Sequence, residues 1–131
     1  METGLKMEHQ ELTETIIGCA MIVHRALGLG FLESVYQNAL AHDLRKAGIS
    51  VECEKALTVT YDGVVIGNYC CDMLIGGTVL VENKAVQALA VAHQVQLVHY
   101  LTAIGIELGL LLNFGASRLE FKRKTRTYIP R

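Results

Sequence analysis

The sequence predicts an α/β fold with a mixed central sheet flanked by helices, and three observations point to it. Apolar residues recur at spacings of three and four over two early segments, the mark of amphipathic helices. Between Ile49 and Lys84 the pattern changes to short β-branched runs separated by turn signals. Further on, "IELGLLLNFG" is apolar with almost no alternation, as expected of a strand buried on both faces.

In chain order, a first helix is expected from about Leu12 to Leu27, with Ile16, Ile17, Ala20, Val23 and Leu27 forming its buried stripe. Gly28-Leu29-Gly30 breaks it. A second helix from about Leu32 to Ala47 places Val35, Tyr36, Ala39, Leu40 and Leu44 on one face, and Gly48 suits its C-terminal cap. Glu33 falls in the first turn, where the helix dipole favours a carboxylate. "VECEKALTVTY" and "VVIGNYCCDMLI" then flank Asp62-Gly63, a good hairpin turn, and "TVLVENKA" completes a three-stranded meander. A third helix is expected from about Gln87 to Ile104, ended by Gly105, with His93, Gln96 and Tyr100 on one face. After the buried strand, "RLEFKRKTRTYI" reads as a final edge strand.

The chain has 131 residues, half of them apolar, with one proline and 19% charged residues, which suits a single folded domain over residues 1–131. No apolar run is long enough to span a bilayer, and the charged start lacks a signal peptide's apolar core, so a cytoplasmic protein is expected. Cys19, Cys53, Cys70 and Cys71 suit neither a disulfide framework nor zinc spacing and are read as reduced core residues. The mean hydropathy of +0.32 suggests an apolar patch covered in a homodimer, or simply a β-rich core. Net charge is −1, but six of the twelve lysines and arginines lie between Arg118 and Arg131. Such a run can track phosphates, or merely keep a terminal strand solvated.

The most informative chemistry lies in Asp72, followed after nine residues by Glu82-Asn83-Lys84. Glu82 and Lys84 are two apart, so on a strand they leave the same face. Whether Asp72 joins them depends on parity. A two-residue loop at Gly76-Gly77 would pair Asp72 with Val81 and face it away. An odd-length loop, such as three residues with a left-handed glycine, puts all three charged groups on one face. Hard cations such as Mg²⁺ or Mn²⁺ take oxygen ligands, so Asp72, Glu82 and the Asn83 backbone carbonyl can hold one. A lysine beside it orients a water and offsets developing charge. An exposed Glu-Lys pair on a strand face is the plainer alternative.

Gly30-x-x-Glu33-x-x-Tyr36, the Asp72…Glu82-x-Lys84 pattern and "AHQVQLVHYLTAIGIELGLLLNFGA" together resemble the GxxExxY protein family, a branch of the PD-(D/E)XK nuclease superfamily. The resemblance runs from about Leu12 to Tyr128. It implies a restriction-endonuclease-like αβββαβ core, a metal site of Glu33, Asp72, Glu82 and Lys84, and products with a 5′-phosphate. A Q-x-x-x-Y pattern on the following helix falls on Gln96 and Tyr100, which would orient Lys84, contact a phosphate, or form only the polar edge of the helix. No proline precedes Asp72, a departure at a loosely kept position. His93 is read as a structural group rather than a metal ligand, and as a candidate beside the site. The function expected is a metal-dependent nuclease acting on DNA or RNA; the alternative is a catalytically silent module binding nucleic acid or a partner.

Overall fold

The computed structural model describes residues 9–127. Helices α1 (His9–Leu27) and α2 (Glu33–Lys46) precede strands β1 (Val51–Tyr61), β2 (Val64–Ile75) and β3 (Val79–Lys84), then α3 (Val91–Ile104), β4 (Leu108–Asn113) and β5 (Glu120–Thr125). The five strands form one mixed sheet in the order β1-β2-β3-β4-β5, with β3 and β4 parallel and the other pairs antiparallel. Among the described residues, no helix is long and apolar enough to cross a membrane.

The two helical layers divide the sheet's apolar residues by parity. Ile16, Ala20, Val23, Tyr36, Leu40 and Leu44 cover one face, against Met73, Ile75, Val79, Val81, Leu110 and Leu112. On the other face Leu97 and Leu101 of α3 pack on Leu74, Leu80 and Leu111. β4 is buried along its whole length because both its faces are covered, which accounts for its lack of alternation. β5 lies at the sheet edge as expected; Tyr128 and Ile129 of the predicted last strand lie outside the described residues.

The β2–β3 loop is odd. Met73 pairs with Val81 and Ile75 with Val79, leaving Gly76, Gly77 and Thr78 in the connection. Both glycines have positive φ (61° and 72°), which side chains with a Cβ resist. The third helix begins at Val91 rather than near Gln87. The preceding loop is held by tertiary bonds: Asn113 accepts from the Val86 N–H at 2.9 Å and donates to the Val86 carbonyl at 2.9 Å, while Glu120 accepts from the Leu89 N–H at 3.1 Å. Local helix propensity loses to this clamp.

Tyr36 explains its place in the Gly30-Glu33-Tyr36 pattern. It is fully buried, donates its hydroxyl to the Gly28 carbonyl at 2.6 Å and stacks on Phe114 at 4.8 Å. The Phe114 N–H in turn donates to the Lys84 carbonyl at 2.8 Å. The turn before α2 is thereby tied to the strand that carries Glu82 and Lys84.

Candidate active site

Asp72 and Glu82 meet where β2 and β3 cease to pair. The β2–β3 ladder ends at Met73–Val81, and beyond it two carboxylates replace backbone acceptors. The Asp72 N–H donates to Glu82 Oε2 at 3.2 Å, and the Asn83 N–H donates to Asp72 Oδ2 at 2.8 Å. Each acid is therefore held by main chain from the opposite strand. The β1–β2 ladder is interrupted at the same level, opposite Glu54, whose φ of 53° is left-handed. Residues two apart on a strand normally share a face. Here Met73 packs under α1 and α2, whereas Cys71 packs under α3. Cys53 and Leu57 on β1 change faces in the same way. The hairpin turns over at Glu54 and Asp72, and strain in a sparsely populated backbone region marks the site.

This reversal corrects the reading of Cys70 as a core residue. It is exposed, with its Sγ donating to Glu54 Oε1 at 3.7 Å, while Cys71 is buried.

The electrostatics are those of acids withdrawn from water. Burial pushes the Glu82 carboxyl up to about 7, with the Asp72 charge adding to the rise. The Tyr69 hydroxyl, the Asp72 N–H and the Lys84 ammonium oppose it. Burial likewise raises Asp72, helped by the charges of Glu54 and Glu33 and opposed by the Asn83 N–H and Lys84. Tyr69 donates to Glu82 Oε2 at 2.5 Å, and burial followed by that bond holds its phenol protonated well above the usual range. Among the described residues, Asp72 Oδ1, Glu82 Oε1 and the Lys84 ammonium accept or donate no hydrogen bond.

The remaining residues named from sequence fall around this pair. Glu33 is exposed in the first turn of α2 and reaches Asp72 only through its charge. The Asn83 side chain points to the opposite face, donating to Gln37 at 3.3 Å and to the Met73 sulfur at 3.2 Å, with its Oδ1 buried and unpartnered. Only the main chain of Asn83 is turned toward the acids. Tyr100 stacks on Tyr69 at 3.8 Å, and Gln96 donates to the Tyr100 hydroxyl at 3.4 Å. That helix face thus meets the acids through Tyr69. His93 accepts the Ala90 N–H at 3.0 Å and caps α3.

Two residues escape a reading of the sequence. Tyr69 lies three before Asp72 in a run where alternation would turn it away, and only the reversal brings its hydroxyl to Glu82. Glu54 gives no signal at all; its exposed carboxylate accepts from Gln37 at 2.9 Å and ends an Asn83–Gln37–Glu54 chain that starts in the core. Among the described residues no three His, Cys, Asp or Glu side chains form a ready metal cage. Two open carboxylate oxygens nevertheless suit Mg²⁺ or Mn²⁺, ions that Mg²⁺-type sites hold through one or two carboxylates plus water and substrate phosphate.

The sequence profile of the PD-(D/E)XK nuclease superfamily matches residues 10–124. Two solved structures share the fold. The chain aligns with the crystal structure of SSO0001 at a TM-score of 0.58 and 18% identity, covering 74% of this chain. It spans about half of that protein, 52%. The alkaline exonuclease LHK-Exo from Laribacter hongkongensis aligns at a TM-score of 0.50 and 13% identity, covering 93% of this chain and 73% of the exonuclease. No protein of curated function matches the sequence.

Proposed function

Because the chain belongs to the PD-(D/E)XK nuclease superfamily, we propose that it hydrolyses phosphodiester bonds in DNA or RNA, with Mg²⁺ or Mn²⁺ held between Asp72 and Glu82. The observation that carries this reading is the pair of part-buried acids, both raised, each with one oxygen left unbonded beside an unbonded lysine. Such a pair lacks a positive partner that Lys84 only partly supplies, and a divalent cation answers the deficit. When bound, the ion would supply Lewis-acid polarisation of the phosphate and a more acidic water.

The residues have separate tasks. Asp72 and Glu82 bind, oriented by the backbone N–H groups of Asn83 and Asp72. Tyr69 fixes the Glu82 carboxylate through one oxygen and leaves the other free. The Lys84 ammonium orients the attacking water and offsets charge growing on the phosphate. Glu33 adds negative potential at Asp72 and would hold a water or a second ion. Gln96 and Tyr100, on the face of α3 that meets Tyr69, border the approach of the substrate. The finer placement in the GxxExxY branch rests on Gly30, Glu33 and Tyr36.

The test is cleavage of labelled DNA and RNA with Mg²⁺ or Mn²⁺ against a chelator control. Lys84→Met should lower cleavage at least ~100-fold while preserving folding and nucleic-acid affinity, because the lysine acts mainly on transition-state charge. Asp72→Asn should weaken the binding of Mn²⁺ itself. Wild type that binds nucleic acid but cuts nothing, with Lys84→Met behaving identically, would establish the silent binding module instead.

A further inference from the structure

We propose that the groove between the end of α1 and the β4–β5 connection is a second nucleic-acid subsite, taking backbone phosphates of the strand that flanks the cleaved bond. The proposal rests on the nuclease reading above and names a contact surface outside the acids. Met21, His24, Arg25, Leu29, Ser117 and Arg118 line the groove, and no acidic residue does. Its volume, about 670 Å³, is that of a cleft able to take a nucleotide-sized group.

The two arginines stand on opposite walls and are exposed. The other described arginines are engaged elsewhere in the fold: Arg126 pairs with Glu107, Arg123 reaches Thr13 at 3.5 Å, and Arg45 donates to the Val51 carbonyl at 2.8 Å. Neither the Arg25 nor the Arg118 guanidinium has a hydrogen bond or ion pair among the described residues. Two uncompensated planar forks without an acid between them match phosphate oxygens. Met21 and Leu29, both exposed, offer apolar surface to a sugar edge.

The groove is fixed to the candidate active site by short links. His24 joins the two walls through the Ala116 carbonyl at 2.9 Å. The Gly28 carbonyl on one wall accepts from Tyr36, which stacks on Phe114, whose N–H holds the Lys84 carbonyl. Ser117 and Arg118 follow Phe114 after only Gly115 and Ala116. The groove therefore opens at the end toward which parallel β3 and β4 run, the end where ligands meet such sheets. Tyr36 and Phe114 are fully buried, so a strand engaged at Lys84 would pass over this end of the sheet to enter the groove.

Anisotropy of labelled 20-nucleotide DNA and RNA, without divalent metal and over a range of salt, tests this on the full chain. The Arg25→Ala/Arg118→Ala pair should lower affinity roughly tenfold. It should also reduce the slope of log K against log salt by about 1.4 for single strands and about 1.8 for duplex, two phosphates' worth. Arg25→Lys/Arg118→Lys should retain most of the slope, and both pairs should keep the wild-type melting temperature and Mn²⁺ affinity. A wild-type slope unchanged by the alanine pair removes the groove alone. Wild type that binds neither DNA nor RNA under these conditions removes the groove, whereas the nuclease reading stands or falls on cleavage with Mg²⁺ or Mn²⁺. Polyglutamate competing as well as DNA at equal charge would assign the groove to an acidic protein and overturn the phosphate assignment.

Discussion

On one side of the end of β3, Asn113 ties the strand's exit loop to β4; on the other, Asp72 and Glu82 hold β3 to β2. Both clusters replace regular ladder bonds with side chains, and both are withdrawn from water. The amide cluster is closed. Asn113 is fully buried, its oxygen accepts from Val86 and Gly115, and its nitrogen donates to Val86 and to Glu120 at 2.8 Å. Gly115 permits the close approach, since a Cβ there would lie 2.5 Å from the Ala85 carbonyl carbon. The carboxylate cluster is open: like charges face one another, and one oxygen on each acid is unbonded. A closed polar network stabilises a fold, whereas an open one costs stability that a ligand can restore.

The comparison predicts opposite signs for mutation on its two sides. Asn113→Ala should produce the larger effect. It strands part-buried donors and acceptors of Val86, Gly115 and Glu120, a loss of about 3–4 kcal/mol and roughly 10 °C in Tm. Thermal denaturation checks it. A loss below about 1 kcal/mol would mean that water satisfies the loop and that the two clusters differ less than their geometry suggests.

Glu82→Gln should do the reverse. The unfolded carboxyl ionises near its ordinary 4.5, the folded one near 7. Between these values the unfolded state binds fewer protons, so stability falls as pH rises from about 4.5 to about 7 and stays low above it. Below pH 4.5 both states are protonated and the penalty vanishes. After allowance for solvent screening of a part-exposed group, the penalty is on the order of 1–2 kcal/mol. In chelator, Glu82→Gln should recover it at pH 8 and change little at pH 4.5, and Mg²⁺ should flatten the wild-type slope. Equal pH slopes for the variant and wild type, measured by urea denaturation, would show that the acid pair is not frustrated.

Much of this contrast is invisible in the sequence for a physical reason. Helix stripes and strand runs record local periodicity, so Ile16–Val23, Leu40–Leu44 and the buried β4 could be read directly. The parity of Asp72 and Glu82 demanded an odd loop, and Gly76-Gly77-Thr78 is one. What could not be read depends on residues far apart in the chain. Asn113 looks like the end of an apolar run until it closes on Val86. Gln87 to Ala90 read as helix because nothing local announces the clamp. The reversal at Glu54 and Asp72 defeats the period-two rule, and with it the placing of Tyr69 and Cys70.

Tyr69→Phe supplies the finest and smallest test, because it alters the open cluster without touching a charge. The substitution keeps the ring that stacks on Tyr100 and removes only the hydroxyl bonded to Glu82. That hydroxyl stabilises the ionised acid, so its loss should raise the Glu82 carboxyl further and free its rotation. If Glu82 binds Mn²⁺, affinity at pH 7 should fall about tenfold, the usual cost of removing an outer partner that orients a ligand. The loss should shrink at pH 9, where Glu82 is ionised with or without the hydroxyl. A drop that is equal at both pH values would assign Tyr69 to orientation alone. An unchanged affinity, read by Mn²⁺ titration of the folded variant, would show that Glu82 needs no help from the Tyr69 hydroxyl, and the coupling of Gln96 and Tyr100 to the acids through Tyr69 would go with it.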